Sequence, residues 1–171
     1  MAFMAKLNEP HVTRDIYEQV RAEIGWDHDP PAGCLLHIAA FDEAGAHTVG
    51  YTCATFERAF QPNPWVVEER KTRVLSARIQ RLAEESDAFV VVHGGLGTLA
   101  ELALVWNMML AGELAAKPLV VVGRAWPKVI DVVHAETQTG SSALRLLTLV
   151  QTPQQAVERL RELLATLMPS R

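Results

Sequence analysis

Cysteine is scarce in this chain: only Cys34 and Cys53 are present, with no Cys-x-x-Cys spacing and no histidine close to either in sequence. That pattern carries neither a disulfide framework nor a thiolate metal site and points to free thiols in a reducing compartment. Positive charge is not in excess either, since the formal net charge is -4 and no basic run stands out. A polyphosphate backbone is therefore not an expected partner, although a single nucleotide needs only one or two positive side chains. No apolar run approaches the length of a membrane span, and the N-terminus lacks a charged region followed by an apolar core. These absences describe a cytoplasmic, soluble protein without a membrane or nucleic-acid partner. His11, His28, His47 and His134 show no paired ligand spacing, so no catalytic metal is expected. Gly-x-x-x-x-Gly-Lys-Ser/Thr, the triphosphate-cradling signature, is missing too.

What is present suits one compact domain: 171 residues, 49% of them hydrophobic, without repeats or low-complexity tracts. Ile16, Tyr17, Val20 and Ile24 recur at helical spacing between Thr13 as N-cap and Gly25 as stop. Residues 26–33 contain two prolines and two aspartates and read as a loop. Cys34 to Phe41 is an apolar run too short for periodicity to separate strand from helix; a strand paired as a hairpin with His47 to Cys53 is the preferred reading. Residues 54–65, with Pro62-Asn63-Pro64, read as a linker or a long active-site loop.

Beyond that boundary the rhythm is regular. A helix is expected from about Val67 to Glu85, then strand Ala88–Val92, helix Thr98–Ala111, strand Pro118–Val122, helix Trp126–Thr137, strand Leu146–Val150 and helix Pro153–Leu167. Short apolar strands alternating with helices imply a parallel sheet covered on both faces. The expected fold class is therefore α/β, a Rossmann-like three-layer parallel sheet over residues 66–171. Its N-terminal part is truncated or replaced by a strand–helix–hairpin piece over residues 1–53.

The chemistry centres on the passage from Ser86 to Glu101. A buried strand runs into His93-Gly94-Gly95-Leu96-Gly97 and then into a helix, so the glycines allow close backbone approach and the helix start presents free N–H groups to an anion. Gly95-x-Gly97-x-x-Ala100 also satisfies a loose dinucleotide fingerprint, but the usual acidic residue after the next strand is replaced by Gly123-Arg124, which would suit a 2′-phosphate. An NADP-binding protein is accordingly one alternative.

The run Arg78 … Ser86-Asp87-Ala88-Phe89 … Gly94-Gly95-x-Gly97-Thr98-x-x-Glu101 resembles the LONELY GUY family, cytokinin riboside 5′-monophosphate phosphoribohydrolases often mislabelled as lysine decarboxylases. The resemblance runs from about Val49 to the C-terminus and includes the helix through Trp106 and the Lys117-Pro118-Leu119 approach to the next strand. It implies that Arg78 and Glu101 are the catalytic pair and that Gly94, Gly95, Gly97 and Thr98, with His93, hold a nucleoside 5′-monophosphate. It further implies a homodimer, with no cofactor. Breaking an N-glycosidic bond puts positive charge on the ribose ring, which a carboxylate stabilises, while a planar guanidinium orients phosphate or ribose.

Simpler readings stand beside these roles. Thr98-Leu99-Ala100-Glu101 is also a capping box, and Arg78, on a helix with Arg73 and Arg81, is by composition a surface charge. Leu102, Val105, Trp106, Met109 and Leu110 form either an interface stripe or ordinary core. The chain also departs from the family's pattern, with Ile79 where the family has lysine and His93 where it has proline. His93 would serve as a compensating acid or as a structural strand-end residue. The family's first two glycine-ended strands are not evident, which leaves a non-catalytic nucleotide sensor as a second alternative. Val12-Thr13-Arg14 … Phe41-Asp42 instead resembles small dimeric α+β-barrel proteins similar to antibiotic-biosynthesis monooxygenases, over about residues 1–45.

Overall fold

The computed structural model describes residues 2–5, 49–54 and 68–167. The helix expected over residues 13–24, the strand over 34–41 and the resemblance to dimeric α+β barrels lie mainly outside them. The described elements run β1 (Ala2–Ala5), β2 (Val49–Cys53), β3 (Glu68–Thr72), α1 (Leu75–Glu85), β4 (Ala88–Val91), α2 (Leu96–Ala111), β5 (Leu119–Val122), α3 (Trp126–Glu136), α4 (Ser141–Leu144), β6 (Thr148–Val150) and α5 (Pro153–Leu167).

The main sheet has the order β1-β4-β5-β6. β4, β5 and β6 are parallel, with Val91 opposite Val121 and Val121 opposite Leu149. All four residues of β5, Leu-Val-Val-Val, are buried, as expected of a strand covered on both faces. Side-chain alternation sends Phe89, Val91, Leu119 and Val121 into one core with residues of α1, α2, α3 and α4. Ala88, Val92, Val120 and Val122 face Ala156 and Leu160 of α5 on the other side. The result is a Rossmann-like α/β fold in three layers. β1 adds itself antiparallel to β4, Ala2 opposite Val91 and Ala5 opposite Ala88, and so covers an edge that the sequence pattern alone leaves unpaired.

Two features of the sheet region differ from expectation. The helix expected from Val67 begins only at Leu75, because Glu68–Thr72 is a strand paired in parallel with β2 as a separate two-stranded sheet. β2 thus finds its described partner downstream, in register Val49 to Glu68 and Cys53 to Thr72, whereas the expected hairpin partner precedes it. The short helix α4 was not expected at all. α2 starts two residues earlier than its pattern suggested and ends on Gly112, whose φ of 77° is left-handed. The amides of Gly112 and Glu113 return to the carbonyls of Met109 and Met108 at 3.2 and 2.9 Å, a glycine-terminated helix end.

No backbone ladder joins β2 and β3 to the main sheet among the described residues; buried packing and a polar cluster fasten them to α1. Tyr51 donates its hydroxyl to Glu85 Oε2 at 2.6 Å, Arg81 donates Nε to Glu85 Oε1 at 2.6 Å, and Arg70 bonds both Tyr51 and Glu85. Arg70 also pairs with Glu68 at 2.6 Å. Burial is the main cause that lifts the Tyr51 phenol above its ordinary 10.0, partly opposed by the Arg70 and Arg81 charges. A phenol that keeps its proton longer when folded stabilises the fold fully below its unfolded value and loses that contribution as pH rises through the folded one. Between pH 8 and pH 11 the unfolding midpoint in urea is therefore expected to fall more steeply in the parent than in Tyr51→Phe. Parallel slopes would show that the phenol does not report folding.

Candidate functional site

The site begins with the chain leaving β4. His93, Gly94, Gly95 and Gly97 are exposed, and Leu96, the first residue of α2, is 82% exposed. Gly95 precedes the helix in an extended conformation (φ -97°, ψ -151°), and no side chain caps this end among the described residues. The first helical bond runs from the Leu99 amide to the Gly95 carbonyl at 3.1 Å. The amides of Leu96, Gly97 and Thr98 thus belong to the first turn, which has no intrahelical acceptors to offer them. With the helix dipole behind them, they form an anion-receptive end.

The capping-box reading does not hold. A capping box needs threonine just outside the helix, whereas Thr98 is the third residue of α2 and is 2% exposed. Glu101 turns instead to α1, where its Oε1 accepts a hydrogen bond from Arg78 Nη2. The two side chains are 1% and 0% exposed, a buried ion pair between parallel neighbouring helices. Arg78 is therefore not a solvated surface charge like Arg73, which is exposed.

Local sequence explains the seam. Ile79, Leu82 and Ala83 on α1 and Leu102 and Val105 on α2 are buried in the same core, which draws the two helices together at their first turns. Ile79 is 4% exposed within that core, so the position where the family pattern has lysine supplies packing here.

The far end of α1 is also fixed. Lys117 Nζ donates to the carbonyls of Ala83, Glu84 and Ser86 at 2.9, 3.2 and 2.6 Å, closing the C-terminus of the helix. Burial lowers the Lys117 pKa, against the opposing charges of Asp87 and Glu84. Trp126 Nε1 donates to the Val92 carbonyl at 3.1 Å and ties the start of α3 to the end of β4. Neither fastening was anticipated from residue spacing, because both join elements more than 30 residues apart, by separations of 31 to 34.

On the opposite side of α2, Leu102, Val105, Trp106 and Met109 are core residues, and Leu110 alone of the proposed stripe is exposed, at 45%. An apolar groove of about 200 Å³ lies there, between Leu99, Ala103 and Leu110 of α2 and Val129 and Val133 of α3. Among the described residues no three His, Cys, Asp or Glu side chains stand close enough to hold a metal ion. No helix among them is long and apolar enough to cross a membrane.

Residues 35–160 match the family described as "possible lysine decarboxylase", a span that contains the glycine turn, Arg78, Glu101 and every strand from β2 to β6. The chain belongs to that family. The match supports the LONELY GUY resemblance at family level and begins upstream of Val49, where the sequence pattern first suggested it. No curated protein matches the chain.

Proposed function

We propose that this family member is a nucleoside 5′-monophosphate N-glycosidase, a phosphoribohydrolase of the cytokinin-activating type that releases a free base and ribose 5-phosphate. The observation that carries the reading is the conjunction of an uncapped, exposed glycine turn with a buried Arg78–Glu101 pair on the helix that the turn opens. Glu101 lies five residues into α2, roughly 7.5 Å along the axis at 1.5 Å per residue. That distance is comparable with the span from a 5′-phosphate to the anomeric carbon of the same ribose.

In this reading the turn from Gly94 to Thr98 grips the phosphate through main-chain N–H groups, with His93 at its rim. The bond from the anomeric carbon to the base nitrogen breaks, and the base departs with the electron pair and takes up a proton. Glu101 faces the positive charge left on the ribose ring, and water adds its oxygen to the anomeric carbon and gives up a proton. Arg78 holds the carboxylate in one orientation. Removal of the pair from bulk water strengthens its field on the ring, and it also requires that the ribose enter the seam between α1 and α2.

The same burial favours one other reading, a nucleotide sensor that binds through the turn while the ion pair serves only the fold. Base release from a panel of nucleoside monophosphates separates them. Release from at least one member that Glu101→Gln and Arg78→Ala abolish supports the hydrolase. Binding without release supports the sensor, and full activity in both variants removes the site assignment.

We further propose a single cytoplasmic domain over residues 1–171, in which residues 1–53 form an atypical N-terminal piece and residues 66–171 the nucleotide-binding half. A homodimer would cover Leu110 and the apolar groove beside it. The likeness of residues 1–45 to dimeric α+β barrels is proposed as one of origin and not of activity.

A further inference from the structure

The turns at the two edges of the sheet differ in charge. α1, α2, α3 and α5 all begin at the edge where β4, β5 and β6 end, so four positive dipole ends converge there. The described turns at that edge are Arg73-Val74, His93-Gly94-Gly95, Gly123-Arg124-Ala125 and Gln151-Thr152, and they contain no carboxylate. Turns at the other edge carry Asp87 and Glu113, close to Glu84 and Glu85 at the end of α1. For a chain with 20 acidic residues and a net charge of -4, the acid-free edge is a local departure.

Arg124 stands next to the glycine turn within that edge. β4 and β5 pair in parallel with Val91 opposite Val121, so the same register extended by three residues brings Gly94 alongside Arg124. The Trp126 hydrogen bond to Val92 fastens the β5–α3 turn against the end of β4, and the Gly123 amide bonds the Val150 carbonyl at 2.9 Å on the other side. Between these anchors Gly123 adopts a φ of 119° with nothing within 4 Å of where a side chain would start. Backbone conformation, not space, is therefore what calls for glycine there. Arg124 itself is exposed and takes part in no hydrogen bond or ion pair among the described residues.

We propose that Arg124 reads a second phosphate group on the bound nucleotide, so that the preferred ligands carry one phosphate in the glycine turn and another within reach of the β5–α3 turn. This rests on the nucleotide-binding reading of the turn and adds a specificity residue to it. A guanidinium fork on a turn pinned at both ends pairs with phosphate in bidentate fashion and loses little freedom in doing so. The second phosphate sits either on a ribose hydroxyl or on the 5′ chain, and both present the same dianionic oxygens.

Calorimetric titration of the full chain at low salt with adenosine 5′-monophosphate, 5′-diphosphate and 2′,5′-bisphosphate tests the proposal. At least one doubly phosphorylated ligand is expected to bind about tenfold tighter than the monophosphate, a gain that shrinks as salt is raised. Whichever ligand shows the gain locates the second phosphate. Arg124→Gln is expected to reduce the gain to less than about twofold and to leave monophosphate affinity within about twofold. Arg73→Gln, which removes an exposed charge from the same edge, should leave the gain in place. Equal affinities for all three ligands in the parent would overturn the proposal, as would an equal loss from Arg73→Gln and Arg124→Gln, which marks a diffuse field. Monophosphate binding with no gain removes Arg124 as a reader and leaves the nucleotide reading standing. Failure of every ligand to bind removes both.

Discussion

Arg78→Ala is expected to destabilise the fold by about 3–5 kcal/mol, as is Glu101→Ala, because each leaves one charge buried without its partner. Both side chains are at most 1% exposed and they bond each other across the α1–α2 seam. Water cannot readily take over the role of the missing group at that depth, and domains are stable by only about 5–15 kcal/mol in total. The double variant Arg78→Met/Glu101→Leu should come within about 1–2 kcal/mol of the parent, since an apolar pair of similar volume avoids the desolvation cost. Guanidinium unfolding of the four proteins closes the cycle. Single variants that lose less than about 1 kcal/mol would mean that the seam opens to water and that the pair is not a buried one. A double variant that is stable and inactive would separate the pair's chemical contribution from its structural one.

The parallel half of the fold was legible because strands buried on both faces leave continuous apolar runs. Leu119–Val122 and Ala88–Val91 fall within one residue of the runs that announced them, and α5 begins and ends at Pro153 and Leu167 as its pattern indicated. β3 was not legible. Glu68-Glu69-Arg70-Lys71-Thr72 alternates half-buried with exposed positions, but its charged composition gives no apolar period, so the preceding valines pull the reading toward a helix. Its strand conformation comes from pairing with β2, a tertiary cause that local propensity does not contain. α4, four residues long, is shorter than any helical period that a pattern can register.

The candidate site divides along the same line. The glycine turn is a local feature and showed itself in the spacing of Gly94, Gly95 and Gly97. The role of Glu101 was ambiguous, because a threonine three residues before a glutamate has the same signature whether or not it caps. The ambiguity was resolved by where the helix starts: Gly95 precedes it, so Thr98 falls inside and Glu101 is turned toward Arg78. Nothing in the composition of α1 separates Arg78 from Arg73 or Arg81; burial against α2 does. Lys117 and Trp126 reach backbone carbonyls on other elements, and a contact of that kind leaves no trace in residue spacing.

If the hydrolase reading is right, Glu101→Gln should slow base release by about 10²–10³-fold while nucleoside monophosphate affinity changes by less than about threefold. The substitution keeps the size of the side chain and an oxygen to accept from Arg78, and it removes the negative charge that would face the ribose ring as the glycosidic bond breaks. Binding is expected to survive because the phosphate is gripped by main-chain groups at the start of α2, roughly 7.5 Å along the helix axis from residue 101. A loss confined to the chemical step while binding stays intact is the mark of a group that acts mainly in the transition state. The variant also leaves the Arg78 charge poorly balanced, so the rates must be compared at a temperature where circular dichroism shows both proteins fully folded. An equal fall in affinity and rate would assign Glu101 to binding. An unchanged rate in a folded variant would leave Arg78–Glu101 as a structural strut and would place the reacting carboxylate elsewhere.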